Sequence, residues 1–275
     1  MKVVYFTLFV CFVGYSQNQA QLEVIQSKTN RTELLKLKNL FDSFYIEREK
    51  RIDTYLSQNP SVERKIMDGF YAKEIYDVTP TGEILYNETD NANSAITARA
   101  NALYDGGSLG LNVQGQGMNV GVWDGGQVRE DHVEFSPFKV VNMNPTVENS
   151  NHATHVMGTI IANGTNPAVR GLAFNAIGES YDWNNDSSEM SFAASTGLLV
   201  SNHSYGPSTS GANNWFFGAY DTSAAQMDLL AFNAPYYLIV KSAGNDRNAT
   251  NDPVIGPYLL LKGGYNLIKT WGNSK

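Results

Sequence analysis

One carboxylate, one imidazole and one carboxamide stand in settings that could do chemistry together. Asp124 closes the run Val120-Gly121-Val122-Trp123-Asp124-Gly125-Gly126, in which an apolar stretch delivers an acid into a glycine turn. An acid there also serves as a turn residue or helix cap, and position alone does not choose between these roles. His152 lies 28 residues on, in Asn151-His152-Ala153-Thr154-His155-Val156-Met157-Gly158-Thr159. Near a helix start, the positive end of the dipole disfavours imidazolium, and a neutral imidazole is what a general base requires. Asn245, in Ala243-Gly244-Asn245-Asp246, offers an amide donor or an ordinary turn residue. His152 and His155 are three apart with no Glu between them, so the His-Glu-x-x-His pattern of a zinc hydrolase is missing and no metal is assigned.

These side chains need rigid elements to hold them. Short apolar runs at 118–123, 176–181, 198–202 and 236–240 read as strands, and 152–162, 188–196 and 222–232 as helices. That alternation predicts an α/β domain, a mostly parallel sheet with helices on both faces. In open sheets of this kind the site lies outside the carboxyl ends of the strands, where Asp124, Ser204 and Asn245 fall.

Ahead of this domain the texture differs. Residues 1–100 carry 12 basic and 13 acidic side chains, whereas the 175 residues after them carry only 8 and 14. Residues 32–64 read as a charged amphipathic helix with Leu34, Leu35, Leu37, Phe41, Phe44 and Tyr45 on its apolar stripe. Residues 70–86 read as a hairpin turned at Pro80-Thr81-Gly82, and 91–102 as a linker. A small N-terminal α+β segment, residues 21–100, thus precedes a main domain at 101–275. Residues 1–20 have the layout of a signal peptide: Lys2, an apolar run from Val3 to Tyr15, then small and polar residues. The expected location is therefore extracellular, with no membrane span beyond the signal peptide.

The chain has 275 residues, 42% of them hydrophobic, enough to build a core and to exclude a disordered chain. Twenty basic and 27 acidic residues give a net charge of −7 with no basic stripe, which argues against nucleic acid as a partner. The single cysteine, Cys11, lies in the signal-like segment, so the processed chain has neither a thiol nucleophile nor a disulfide.

The motifs together resemble the subtilisin-like serine peptidases, the secreted bacterial subtilases in particular. Gly121-Val122-Trp123-Asp124-Gly125-Gly126 resembles the family's aspartate motif, and the segment from Asn151 to Ile160 its histidine motif, whose first His is catalytic. Ser204-Tyr205-Gly206 is similar to the substrate-binding Ser-Leu-Gly segment, and Ala243-Gly244-Asn245 to the segment bearing the oxyanion asparagine. The resemblance implies a subtilisin-like α/β fold, polypeptide substrates and an Asp-His-Ser mechanism with Asp124, His152 and Asn245 in catalytic roles. It implies substrate binding along Ser204, Tyr205 and Gly206, and no cofactor for the chemistry. Calcium often stabilises such enzymes, but no ligand loop is recognisable. Asp182, Asp186 and Glu189 read as a solvated loop and helix cap.

Three departures stand out. Gly125 replaces the usual Ser or Thr after the Asp, Ala153 replaces the usual Gly after the His, and Met157 replaces a small residue. A larger gap concerns the nucleophile, since the order Asp then His leaves the serine to come last. After Asn245 the sole serine is Ser274, between Asn273 and Lys275, and it lacks the Gly-Thr-Ser turn. The expectation is a C-terminally truncated piece of a longer enzyme, inactive by itself, whose segment 21–100 is a propeptide-like accessory segment, with a permanent adhesion or spacer module as the alternative for that segment. The competing expectation is a secreted binding protein or decayed pseudoenzyme on the same scaffold.

Overall fold

The computed structural model describes residues 19–68, 71–79, 81–89, 103–106, 108–135, 137–145, 147–165, 170–209, 212–246, 249, 255–262 and 267–274. The signal-peptide reading falls outside them except for Gln19 and Ala20, as do the linker at 91–102 and the hairpin residues Phe70 and Pro80. Among the described residues, no helix is long and apolar enough to cross a membrane.

Helix α1 spans Gln19–Lys28 and α2 spans Arg31–Gln58. Asn30 starts α2 by accepting the Glu33 amide on its side-chain oxygen at 3.1 Å, which satisfies one of the orphan donors of the first turn. The apolar stripe of α2 serves two partners. Leu34, Leu37 and Phe41 join the core of the main domain, while Ile52 packs with Ile75 and Val78 beneath a small sheet. That sheet begins with β1 (Lys65–Asp68), β2 (Tyr71–Val78) and β3 (Ile84–Thr89), each antiparallel to the next. The β2–β3 hairpin turns as expected at Gly82, whose φ of +83° lies in the left-handed region glycine tolerates.

The main domain has the expected α/β architecture. Its sheet comprises β4 (Asn119–Asp124), β5 (Val140–Asn142), β6 (Ile177–Asp182), β7 (Val200–His203) and β9 (Leu238–Lys241), in the order β5-β6-β4-β7-β9 and parallel throughout. The alternation of β4 explains its two covered faces. Val120 and Val122 pack with Val156, Met157 and Ile161 of α3 (Asn151–Ile161). Trp123 points the other way, into a core shared with Met190 of α4 (Asp186–Thr196), Leu230 of α5 (Thr222–Asn233) and Phe41 of α2. Its ring stacks on Tyr181 at 4.0 Å between centroids. Each such fully buried side chain contributes about 2 kcal/mol through apolar area removed from water. Helix α6 (Gly256–Lys262) forms a third cluster with Phe216, Phe217 and Ile255.

Strand β8 (Tyr205–Pro207) leaves the parallel sheet and joins the small one, giving the order β1-β2-β3-β8. Asn87 faces Pro207, Glu88 faces Gly206 and Thr89 faces Tyr205, antiparallel. The N-terminal segment is therefore stitched to the main domain by a strand as well as by the buried face of α2.

Met157 is accommodated by a glycine. A Cβ built on Gly178 of β6 would collide with the Met157 thioether, so the bulkier helix residue fills space the strand leaves open.

Candidate active site

Asp124 is the last residue of β4 and is fully buried. The Gly125 amide donates to its Oδ1 at 2.8 Å. His152 is the second residue of α3, whose start is fixed by Ser150: its Oγ accepts the Ala153 amide at 3.2 Å. The strand end and the helix start thus meet, with His152 Nδ1 2.8 Å from Asp124 Oδ1 and 2.9 Å from Oδ2. A carboxylate can only accept, so Nδ1 carries the hydrogen and Nε2 keeps its lone pair. That Nε2 is buried and has no hydrogen-bond partner among the described residues. An imidazole oriented from behind, with its other nitrogen unspent, is equipped to take a proton.

Gly125 has a packing reason. A Cβ there would lie 2.8 Å from Cη2 of Trp183, so a Ser or Thr would displace the indole. Trp183 in turn donates from Nε1 to Glu74 Oε2 at 2.8 Å, which ties the floor of the site to β2 of the N-terminal segment. Neither Trp183 nor Glu74 carries a sequence signal for this role, since they are 109 residues apart.

Ser204 lies between β7 and β8, its Oγ accepting from Asn202 Nδ2 at 2.9 Å. Tyr205 and Gly206 lie in β8, one edge of which is paired with β3. The Tyr205 side chain is buried, and its hydroxyl donates to Asp186 Oδ2 at 2.8 Å. Asn245 follows β9 past Lys241, which is level with His203 and hence with Trp123 of β4. It is exposed, next to Gly244 at a φ of +95°, and makes no described hydrogen bond to Asp124 or His152. The structure therefore joins Asp124 to His152 and sets Asn245 beyond the same strand ends, with its amide uncommitted to either.

The acids Asp182, Asp186 and Glu189 depart from the solvated loop expected for them. Asp182 and Asp186 are each 5% exposed, because the N-terminal segment covers the start of α4. Asp182 does cap the turn at 183–185 by accepting the Asn184 amide at 3.3 Å. Burial pushes the Asp182 carboxyl up to about 6, with Lys65 opposing, and the Glu189 carboxyl up to about 7, with bonds from Asn144 and Trp123 opposing. Burial also raises Asp186, against the Arg48 guanidinium and the Tyr205 hydroxyl. His155 is exposed, and no group of three His, Cys, Asp or Glu among the described residues could hold a metal ion.

A family model described as the Subtilase family matches residues 115–259, more than half of the chain and the whole of the Asp124–His152 site. Among curated proteins no relative matches the chain.

Proposed function

Because this chain belongs to the subtilase family, whose members are serine-type peptidases, we propose that it is part of a secreted serine endopeptidase that cleaves polypeptides by an Asp-His-Ser mechanism. His152 Nε2 takes the proton of a serine hydroxyl as that oxygen attacks the scissile carbonyl carbon, and the same nitrogen returns the proton to the leaving amine. Asp124 holds the Nδ1–H tautomer and stabilises the imidazolium that forms. Asn245 donates its side-chain amide to the oxyanion. The backbone of Ser204, Tyr205 and Gly206 takes the substrate as an added strand. The chemistry needs no cofactor.

The reading is carried by the buried Asp124–His152 pair with Nε2 left open. The nucleophile is assigned to a Gly-Thr-Ser turn outside residues 1–275, so these residues alone are inactive. Residues 1–20 act as a signal peptide and 21–100 as a propeptide. The occupation of β8 by β3 supports the latter role, because it fills the edge a substrate would use.

The test is to sequence the locus past codon 275 and to assay the complete product on casein. A Gly-Thr-Ser turn within about the next hundred codons is expected, with casein hydrolysis that His152→Ala abolishes. A stop codon without that turn, or a complete product inert on casein, overturns the reading in favour of a binding protein on a peptidase scaffold.

A further inference from the structure

Behind the peptide-binding strand lies a run of buried polar side chains that the reaction does not use. Ser201 and His203 alternate along β7 and Tyr205 continues the alternation into β8, so the three share one face. Tyr237 donates from its hydroxyl to Ser201 Oγ at 2.7 Å, and Ser201 Oγ lies 2.8 Å from His203 Nε2. His203 Nδ1 lies 3.1 Å from the Tyr205 hydroxyl oxygen, and that hydroxyl donates to Asp186 Oδ2 at 2.8 Å. Ser201 and His203 are wholly inaccessible to solvent.

With Asp186 as a carboxylate, the chain of bonds has one direction. Asp186 also receives the Ser187 amide at 2.6 Å, and the Ser187 hydroxyl, with one proton to give, lies 3.1 Å from the same carboxylate oxygen and 3.2 Å from Gln226 Oε1. Tyr205 spends its proton on Asp186, so its oxygen must accept from Nδ1–H of His203. Nε2 of His203 is then an acceptor for the Ser201 hydroxyl, whose oxygen receives Tyr237. The imidazole is thereby fixed as the neutral Nδ1–H tautomer. Its surroundings agree: burial first, and then Lys241, hold His203 well below its ordinary pKa. The rings of Trp123 and Trp271 close over it at 5.2 and 4.8 Å between centroids.

Strand β8 has particular need of such an anchor. It is three residues long, lies outside the parallel sheet, and its one strand partner is β3. With β3 gone, its anchors include the Tyr205 side chain, the Ser242 hydroxyl 3.5 Å from the Tyr205 carbonyl oxygen, and Lys269 donating to the Pro207 carbonyl. A strand that must pair with an incoming peptide binds better when its own backbone is already ordered, because that entropy is then not lost on binding.

We propose that Asp186 and His203 are positioning residues that act through the Tyr205 hydroxyl to hold β8 at the height at which a polypeptide pairs with it. The proposal rests on the peptidase reading of the same strand. Its first test needs no activity. In the chain of residues 1–275 with ¹⁵N-labelled histidine, NMR should show His203 carrying its proton on Nδ1 and remaining neutral from about pH 5 to 8. Tyr205→Phe, which keeps the ring, should weaken that tautomer preference in this chain, and should speed exchange of the Gly206 amide in the processed protein, where β3 no longer pairs with β8. An Nε2–H tautomer, or a tautomer and exchange rate indifferent to Tyr205→Phe, overturns the proposal.

The second test uses the complete processed enzyme on peptide substrates. Tyr205→Phe should raise KM about tenfold while lowering kcat no more than about twofold. Asp186→Asn, which keeps an amide oxygen for the hydroxyl, should raise KM less than Asp186→Ala does. A fall in kcat at constant KM, or equal effects of the two Asp186 variants, overturns the positioning role. A wild-type enzyme that cleaves no peptide removes the peptidase reading and the positioning role with it, while the imidazole measurement still decides the bond chain.

Discussion

Glu88 and Gly206 are register partners in the antiparallel pair that joins β3 to β8. One belongs to the charged N-terminal segment and the other to the segment that resembles a peptide-binding site, so on the proposed peptidase reading β3 takes the place of a substrate backbone. Processing should therefore follow Thr89 closely. N-terminal sequencing of the secreted, active protein is expected to begin between residues 90 and 102. A peptide of residues 21–89 added back should inhibit it competitively. Active material that still starts at Gln21, or a peptide without effect, would count against the arrangement.

Asp124 grips one imidazole nitrogen and leaves the other open, which sets the order of effects at the site. In the complete enzyme Asp124→Asn should lower kcat by about 10⁴-fold, because the amide can also hold the unproductive tautomer. Asn245→Ala should cost about 10²–10³-fold in kcat, the size seen for such a donor in a subtilisin, with KM little changed. Steady-state kinetics on a peptide substrate checks both. An Asn245→Ala enzyme with wild-type kcat would take the oxyanion role from that residue.

Asp182 should make stability fall as pH rises. Its folded carboxyl is pushed up to about 6 by burial, above the unfolded value of 3.8, so between these pH values the folded state holds more protons. The contribution is complete below the unfolded value and lost as pH passes the folded one. It amounts to about 3 kcal/mol at most. Asp182→Asn, which keeps an oxygen for the Asn184 amide, should melt roughly 5 °C above wild type at pH 8. That advantage should vanish near pH 4. Thermal unfolding of both proteins across this range is the check, and a constant difference would refute the assignment.

Gly125 and Trp183 should behave as one unit. Gly125→Ser pushes a side chain into the indole and should destabilise the fold by about 1–3 kcal/mol. Trp183→Leu should be costly by itself, yet it opens the space the serine needs. A double-mutant cycle by urea denaturation is expected to show the pair less destabilised than the sum of the two. Strict additivity would mean that the close approach has no energetic weight.

Much of the scaffold was legible in the sequence because its strands are apolar runs. Residues 118–123 and 176–181 are each displaced by one from β4 and β6. The reading of 236–240 started two residues before β9, because Tyr237 is buried as a turn residue rather than as part of the strand. Helix α4 starts at Asp186 instead of residue 188, since α2 buries the polar residues at its start and no local pattern reports that. Strands β1 and β5, of four and three residues, are too short to show a period.

The site divides in the same way. Asp124 and His152 could be singled out because each lies in a compact motif at the end of an element. The Tyr205–Asp186 bond, the Trp183 floor beneath Gly125 and the β3–β8 pairing are contacts between distant segments whose residues look ordinary in their own neighbourhoods. Asp182 and Asp186 are buried by contacts with the N-terminal segment, which the pattern of a solvated loop and helix cap around them does not report.

Tethering gives the β3–β8 pairing a kinetic meaning. A strand carried on the same polypeptide meets β8 in an intramolecular step, which a free peptide has to match by its concentration. Severing the chain between β3 and β8 leaves every contact in place but makes the segment a separate molecule, which then stays only as long as the β3–β8 pairing and the buried face of α2 hold it.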